Sequence, residues 1–103
     1  SAASDVYKRQ LKEAPMEIKL ALPYFKTKEK AHIYLKQVLR LPSYYGNNLD
    51  ALYDCLTDIQ EGQTIIIPKE IMNLPYLGNY GKQMIRVFED AAKENPHLQI
   101  FIK

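Results

Sequence analysis

The sequence predicts an α/β domain in which three parallel strands pack against three to four helices. Three short segments have strand-like patterns, at residues 17–22, 63–67 and 98–103. The first and the last alternate apolar with polar side chains, and the middle one is a β-branched run. Helical spacing fills both connections between them, and connections of that length join parallel strands. The expected order of elements is β-α-α-β-(α)-α-β.

The first connection contains two predicted helices. Thr27 is a suitable N-cap for the first, and Pro42 stops it at about residue 41, because a residue that precedes proline is pushed out of the α region. Asn47 or Asn48 can cap the second helix, which extends to about residue 58. The apolar face of this second helix has four members: Leu49, Leu52, Leu56 and Ile59.

The second connection is expected to contain a brief helix and a long one. Pro68 favours a short helix over residues 69–73, since proline is tolerated at a helix start. Residues 82–94 have the apolar spacing of a long helix, which Asn95 and Pro96 end. The middle strand before this connection ends in three isoleucines and is expected to be fully buried.

Composition restricts the class of protein. The chain has 103 residues, of which 47% are hydrophobic and 25% charged, as in one ordinary globular domain. Its longest aliphatic run, Ile65–Ile67, is far shorter than the roughly 20 residues that span a bilayer. No basic segment followed by an apolar stretch indicates a secretory signal, and the lone Cys55 cannot form an internal disulfide. We expect a soluble, cytoplasmic domain that is monomeric when free and does not bind membranes.

Residues 1–15 are not expected to belong to the domain. Ser1–Gln10 corresponds to the in-frame translation of a common transposase sequencing adaptor, and all ten codons fit. The codons of residues 12–14 can contain a ribosome-binding sequence just ahead of Met16. We therefore expect residues 1–15 to be a disordered, non-native leader and residues 16–103 to form the domain.

Charge is distributed unevenly along the expected domain, although its net charge is only +1. Residues 16–40 carry +4, residues 69–103 carry +1, and residues 41–68 carry −4 without a single lysine or arginine. The last of these segments includes the second predicted helix. Its lack of any positive charge is the most unusual feature of the chain.

Three aspartates follow one another at four-residue intervals on the second predicted helix and project from nearly one face: Asp50, Asp54 and Asp58. Like charges at this spacing destabilise a helix by roughly 0.2–0.5 kcal/mol per pair. Only Asp50 is stabilised by its position in the helix, because the helix dipole favours an anion in the first turn. With tyrosines at positions 44, 45 and 53, the pattern favours a polar surface for protein binding. The alternative is that the aspartates only keep an exposed face soluble.

The sequence does not predict a catalytic or metal site. Aspartates on one face of a short helix cannot easily flank a substrate, and nothing nearby completes a coordination shell. Cys55 lies beside the apolar positions of its helix, as a packed small side chain does. His32 and His97 have no spacing that implies chemistry. We expect no catalytic residue, no metal and no cofactor.

A second candidate function uses the basic first third of the chain. Five cations could contact a phosphate backbone: Lys26, Lys28, Lys30, Lys36 and Arg40. Glu29 interrupts the set, and lysines on the polar face of an amphipathic helix are usually only solvated. A nucleic-acid-binding module that uses the first helix is therefore the alternative function.

Residues 41–57, LPSYYGNNLDALYDCLT, closely resemble the motif of the barstar family, the intracellular inhibitors of barnase-type ribonucleases. The motif is long and specific, and looser similarity extends over residues 16–103. The resemblance implies a small α/β fold and a non-enzymatic protein. Such a protein would form a 1:1 complex with a barnase-type ribonuclease or related toxin and would not bind nucleic acid directly. A further possibility is an immunity protein on the same scaffold, directed against a toxin of different activity.

The resemblance also implies which residues bind the partner. The second helix and its preceding loop would block the ribonuclease active site, with acidic side chains in place of the phosphates of RNA. Asp54 would be the central anion, Asp50 a second anchor, Tyr44 an aromatic contact and Tyr53 a rim residue. The complete expected set of partner-binding residues is Tyr44, Tyr45, Gly46, Asn48, Asp50, Tyr53, Asp54, Asp58, Asp90 and Glu94.

Overall fold

Within residues 16–103, the part of the chain that the computed structural model describes, three parallel strands form one sheet. The strands are β1 (Met16–Lys19), β2 (Gln63–Ile67) and β3 (Leu98–Ile102), in the spatial order β1-β2-β3. The predicted α/β fold class is confirmed, β2 has the expected bounds, and β3 ends one residue earlier than expected. The predictions made for residues 1–15 lie outside the described residues.

Three α-helices lie between the strands: α1 (Lys28–Val38), α2 (Leu49–Thr57) and α3 (Asn79–Glu94). Two 3-10 helices, Leu22–Phe25 and Lys69–Met72, complete the connections. The second of them is the brief helix expected after the middle strand. The first was not predicted; it replaces the end of the expected first strand, because the proline at its second position favours the start of a helix.

α1 ends earlier than the proline alone requires. Arg40 has a left-handed backbone with φ 54°, and Leu41 N donates a hydrogen bond to Lys36 O at 2.9 Å. A second bond runs from Arg40 N to Gln37 O at 3.3 Å. This pair of bonds is a Schellman motif, which satisfies the last carbonyl groups of the helix before Pro42 is reached.

α3 starts earlier than its apolar spacing indicates, because two glycines allow the chain to enter it. Gly78, the N-cap, has φ 60°, a conformation that residues with a Cβ adopt at a cost. Gly81 is buried in the first turn against the second 3-10 helix, where an added Cβ would overlap the carbonyl oxygen of Ile71. The first turn of α3 therefore packs backbone against backbone.

The core lies on one face of the sheet. Ile18, Ile65, Ile67 and Leu98 are buried there with the apolar sides of the helices. The intervening side chains of the strands are exposed or half-buried: Glu17, Lys19, Thr64, Ile66, Gln99 and Phe101. The prediction that the middle strand is fully buried is therefore wrong, since β2 alternates between covered and uncovered positions.

Two polar side chains are buried in the described part of the chain, His32 and Asn95, at 1% and 3% exposure. Both are hydrogen-bonded, as buried polar groups must be to offset the loss of water. The same part of the chain contains no helix with the length and hydropathy that crossing a bilayer would require.

Candidate protein-binding site

The acidic helix α2 begins at an asparagine cap. Asn48 Oδ1 accepts a hydrogen bond from Ala51 N at 2.7 Å, and Asn48 Nδ2 donates to Gly46 O at 3.2 Å. Of the two asparagines that could cap the helix, Asn47 instead takes a left-handed backbone with φ 55°. The cap thus fixes the preceding loop, residues 44–48, to the start of α2.

The far end of α2 is held by a side chain from outside the helix. Asn95, the C-cap of α3, donates from Nδ2 to Leu56 O at 2.9 Å and to Ile59 O at 2.8 Å. Its Oδ1 accepts a hydrogen bond from His97 N at 3.0 Å. The last carbonyls of a helix have no partner within it, so these bonds complete the C-terminal end of α2. Leu52 and Leu56 are fully buried beneath the helix.

The outer face of α2 carries three exposed carboxylates, Asp50, Asp54 and Asp58, which we call the acidic row. They are spaced by about 6 Å along the helix axis, at a rise of about 1.5 Å per residue. None of them forms an ion pair with another residue of the described range. Asp50 lies in the first turn, but Asp58 is the C-cap, where the carbonyl dipoles oppose an anion. The fold therefore presents this charge without neutralising it.

The tyrosines near the acidic row have different environments. Tyr44 is 82% exposed on the loop before α2, and Tyr53 is half-buried at the side of the helix. Tyr45 is only 6% exposed, and its hydroxyl forms a hydrogen bond with the ring of His32. Of the tyrosines expected to contact a partner, Tyr45 is thus the one whose ring lies inside the loop, while its neighbours Tyr44 and Gly46 are exposed.

A groove of about 200 Å³ lies beside the acidic row, with Arg40, Tyr44, Cys55 and Asp58 among its lining residues. Burial, with further contributions from Asp58 and Asp54, raises the pKa of the Cys55 thiol. A thiol with a raised pKa is a poor nucleophile, so the packing role expected of Cys55 agrees with its surroundings. Across residues 16–103, no cluster of three or more His, Cys, Asp or Glu side chains could hold a metal ion.

The two acids expected to support the site from α3 are both exposed. Asp90 Oδ1 lies 4.0 Å from Lys93 Nζ, a solvated pair of the kind that contributes little to stability. Glu94 immediately precedes Asn95, whose side chain binds the end of α2. The backbone of α3 at Glu94 therefore lies next to the end of α2, and Asp90 lies one turn of α3 before it.

The cations of α1 do not form a uniform exposed set. Lys28 Nζ lies 4.7 Å from the centroid of the Tyr80 ring, and Lys36 Nζ donates to Ser43 O at 3.4 Å. These contacts engage two of the five cations that could have bound phosphate. Three other basic side chains of this region are exposed: Lys26, Lys30 and Arg40.

The environment of His32 was not predicted from the sequence. The residue was expected to have no special role, yet it is buried and contacts two tyrosines, Tyr45 and Tyr80. A signal was present, because His32 lies three and seven residues before Leu35 and Leu39, and therefore on the apolar face of α1. The neighbouring lysines obscured it.

Fold and surface together define a class: a small α/β protein whose most prominent surface is an acidic helix with an exposed loop before it. The family described as Barstar (barnase inhibitor) matches residues 16–103, which is the whole described part of the chain. The chain belongs to this family, and the predicted resemblance is confirmed. A protein of Bacillus subtilis (strain 168) named "Putative ribonuclease inhibitor YrdF" is 37% identical over 71 residues, covering 68% of this chain and 78% of that protein.

Proposed function

We propose that this protein inhibits a barnase-type ribonuclease by covering its active site with α2 and residues 44–48. Family membership and the name of the Bacillus relative support a ribonuclease as the partner. The observation that carries the mechanism is the acidic row, whose three carboxylates are exposed and make no ion pair within the described residues. Their mutual repulsion destabilises α2. The cations of a partner would offset this repulsion, because they attract all three carboxylates.

The acidic row acts in place of the phosphates of RNA. A ribonuclease holds its substrate with cationic side chains, and a carboxylate accepts charge-assisted hydrogen bonds from the same groups, most strongly from a bidentate arginine. Asp54 is in the middle of the row, with one carboxylate a turn away on each side. It therefore becomes the most completely desolvated of the three, and its loss leaves cations of the partner buried without a counter-charge.

Attraction between the two proteins is local rather than global. The described range has a net charge of +1, but residues 41–68 carry −4. Screening acts over about 8 Å at physiological ionic strength, so the acidic row guides a partner only at short range. We expect the association rate to fall as salt is added, because the guiding charges are solvent-exposed.

The contacts around the acidic row complete the proposed surface. Tyr44 supplies an exposed aromatic ring, Tyr53 a rim contact, and Gly46 and Asn48 exposed groups of the loop. The two acids of α3 would add charge at the Asp58 end. An interface of standard size, about 1,600 Å² in total, would be sufficient for a 1:1 complex. Such an inhibitor would act in the cytoplasm of the cell that produces the ribonuclease.

The test is to titrate the full chain into a barnase-type ribonuclease while RNA cleavage is followed. We expect stoichiometric inhibition, and a loss of at least about 30-fold in affinity for Asp54→Asn, which corresponds to about 2 kcal/mol. Asp58→Asn should weaken binding less, and Glu70→Gln, an exposed acid outside the acidic row, should leave it unchanged.

Each other outcome is informative. Equal affinities for Asp54→Asn and Asp58→Asn would contradict the central role of Asp54. No inhibition by the wild-type chain would contradict the choice of partner and turn the search to toxins of different activity. Salt-sensitive binding of RNA by the chain itself, unaffected by Asp54→Asn, would favour a nucleic-acid-binding function of α1 instead.

A further inference from the structure

A buried histidine connects three elements next to the proposed binding surface. His32, on α1, has Nδ1 2.5 Å from the hydroxyl oxygen of Tyr45 and Nε2 2.6 Å from that of Tyr80. Tyr45 belongs to the loop before α2, and Tyr80 to the first turn of α3. Both tyrosine rings also contact the imidazole, with centroid distances of 5.8 Å.

The arrangement determines which protons the three groups carry. The Tyr45 ring is buried, and its hydroxyl has no hydrogen-bond partner among the described residues other than His32. Since a buried hydroxyl needs a partner and His32 is the one that the described residues supply, its proton is donated to Nδ1. Nε2 then carries the single proton of a neutral imidazole and donates it to Tyr80, whose half-buried hydroxyl can in turn donate to solvent.

A protonated imidazole is incompatible with this pattern. An imidazolium donates from both nitrogens, so the Tyr45 hydroxyl would lose its only acceptor and keep a proton without a partner inside the core. Burial lowers the pKa of His32 and raises the pKa of both tyrosines, so all three groups are neutral at pH 7.

The charged and titratable groups that face the imidazole do not change this conclusion. Lys28 and Glu29, from the same helix, line the adjoining cavity and have opposite charges. Cys55 faces Tyr45 from α2, and burial keeps it a neutral thiol. Asn47, from the loop, also lines the cavity and is uncharged.

We propose that His32 is a positioning residue, which holds residues 44–48 in their binding conformation through Tyr45 only while its imidazole is neutral. The inference rests on the proposed function, since those residues are part of the proposed binding surface. When His32 takes up a proton, Tyr45 is released and the exposed Tyr44 beside it loses its fixed orientation, although Asn48 still holds Gly46 to the start of α2. Target binding and protonation of His32 then oppose each other.

The experiment compares the affinity for a barnase-type ribonuclease between pH 5 and pH 8 for the full wild-type chain, His32→Gln and His97→Gln. His97 is exposed and serves as the matched histidine control. Titration of the ribonuclease itself is common to all three, so it cancels in the ratio of affinities. We expect the wild type to lose up to tenfold per pH unit below the pKa of His32, as linkage to one proton requires. His97→Gln should follow the wild type, and His32→Gln should lack that part of the decline.

Two further measurements keep the test independent of folding and of the partner. Tyr45→Phe retains the buried ring but has no hydroxyl group, so protonation of His32 can leave no hydroxyl proton without an acceptor. The affinity of this variant should therefore also lack the decline attributed to His32. In the free protein, NMR should show the Tyr45 amide, which donates a hydrogen bond to Pro42 O at 3.0 Å, losing protection as His32 titrates, while the amides of β2 keep theirs. Unchanged protection of the Tyr45 amide throughout the His32 titration, or equal pH profiles for wild type and His32→Gln, would overturn the inference. Absence of any inhibition by the wild type at pH 8 would instead overturn the proposed function, and the NMR result would still decide the role of His32.

Discussion

Replacing Asp54 by asparagine should make the protein more stable and a worse inhibitor at the same time. Asp54 is flanked one turn away on each side by another exposed aspartate of the acidic row. Each like-charge pair at this spacing costs roughly 0.2–0.5 kcal/mol. Removing both pairs should raise the free energy of unfolding by about 0.4–1 kcal/mol, because asparagine and aspartate have similar helix propensities. The affinity for the ribonuclease should fall at least about 30-fold in the same variant.

Urea unfolding followed by circular dichroism measures the stability change, and titration against the ribonuclease measures the affinity. The gain in stability should shrink in 1 M salt, where the screening length is about 3 Å. Asp50→Asn is the control, because it relieves one repulsion but loses the favourable interaction of a first-turn anion with the helix dipole, so its net effect on stability should be near zero. A decrease in the stability of Asp54→Asn would refute the reasoning, since it would mean that the carboxylate supports the fold.

Three further substitutions test the scaffold beneath the site. Asn95→Ala should lower the free energy of unfolding by about 2–4 kcal/mol, because the carbonyls of Leu56 and Ile59 lose their donor. Urea unfolding checks this loss against that of the exposed control Asn73→Ala, and a comparable loss in the control would contradict the role of Asn95. Gly81→Ala should cost more than the roughly 1 kcal/mol seen for ordinary small changes, because the new Cβ overlaps Ile71 O; a thermal midpoint equal to that of the wild type would disprove the close approach. The free energy of unfolding should also fall as the pH drops below about 6.5. Burial lowers the pKa of His32 in the folded state, so the unfolded chain takes up this proton more readily. An equal decline in His32→Gln would show that other groups cause it.

Elements defined by local patterns were predictable from the sequence. β2 has the bounds that its β-branched run indicates, and β3 differs from its predicted bounds only at Lys103. Asn48 caps α2 as one of the two predicted candidates. The acidic row was also predictable, because a helical period fixes which side chains share a face. Each of these features depends on residues within about one turn or one strand of each other.

The features that were missed depend on contacts distant in sequence. Tyr44 and Tyr45 are adjacent and identical, and the one that is buried is the one whose hydroxyl meets His32, 13 residues away. The early start of α3 similarly depends on the close approach of Gly81 to the carbonyl oxygen of Ile71, in the preceding 3-10 helix. The uncovered face of β2 could not be inferred from its isoleucines, because a β-branched run does not reveal on how many sides helices will pack.

The position of the anchors of α2 has a consequence for how such a protein could change over time. A helix of nine residues is too short to persist by itself, and this one is held by a cap at one end, Asn95 at the other and leucines beneath. None of these anchors is a residue of the acidic row. Substitutions on the outward face therefore leave the helix in place and already ordered for binding. In a lineage of such proteins, the binding residues could change as the surface of a toxin changes, while the fold stays the same.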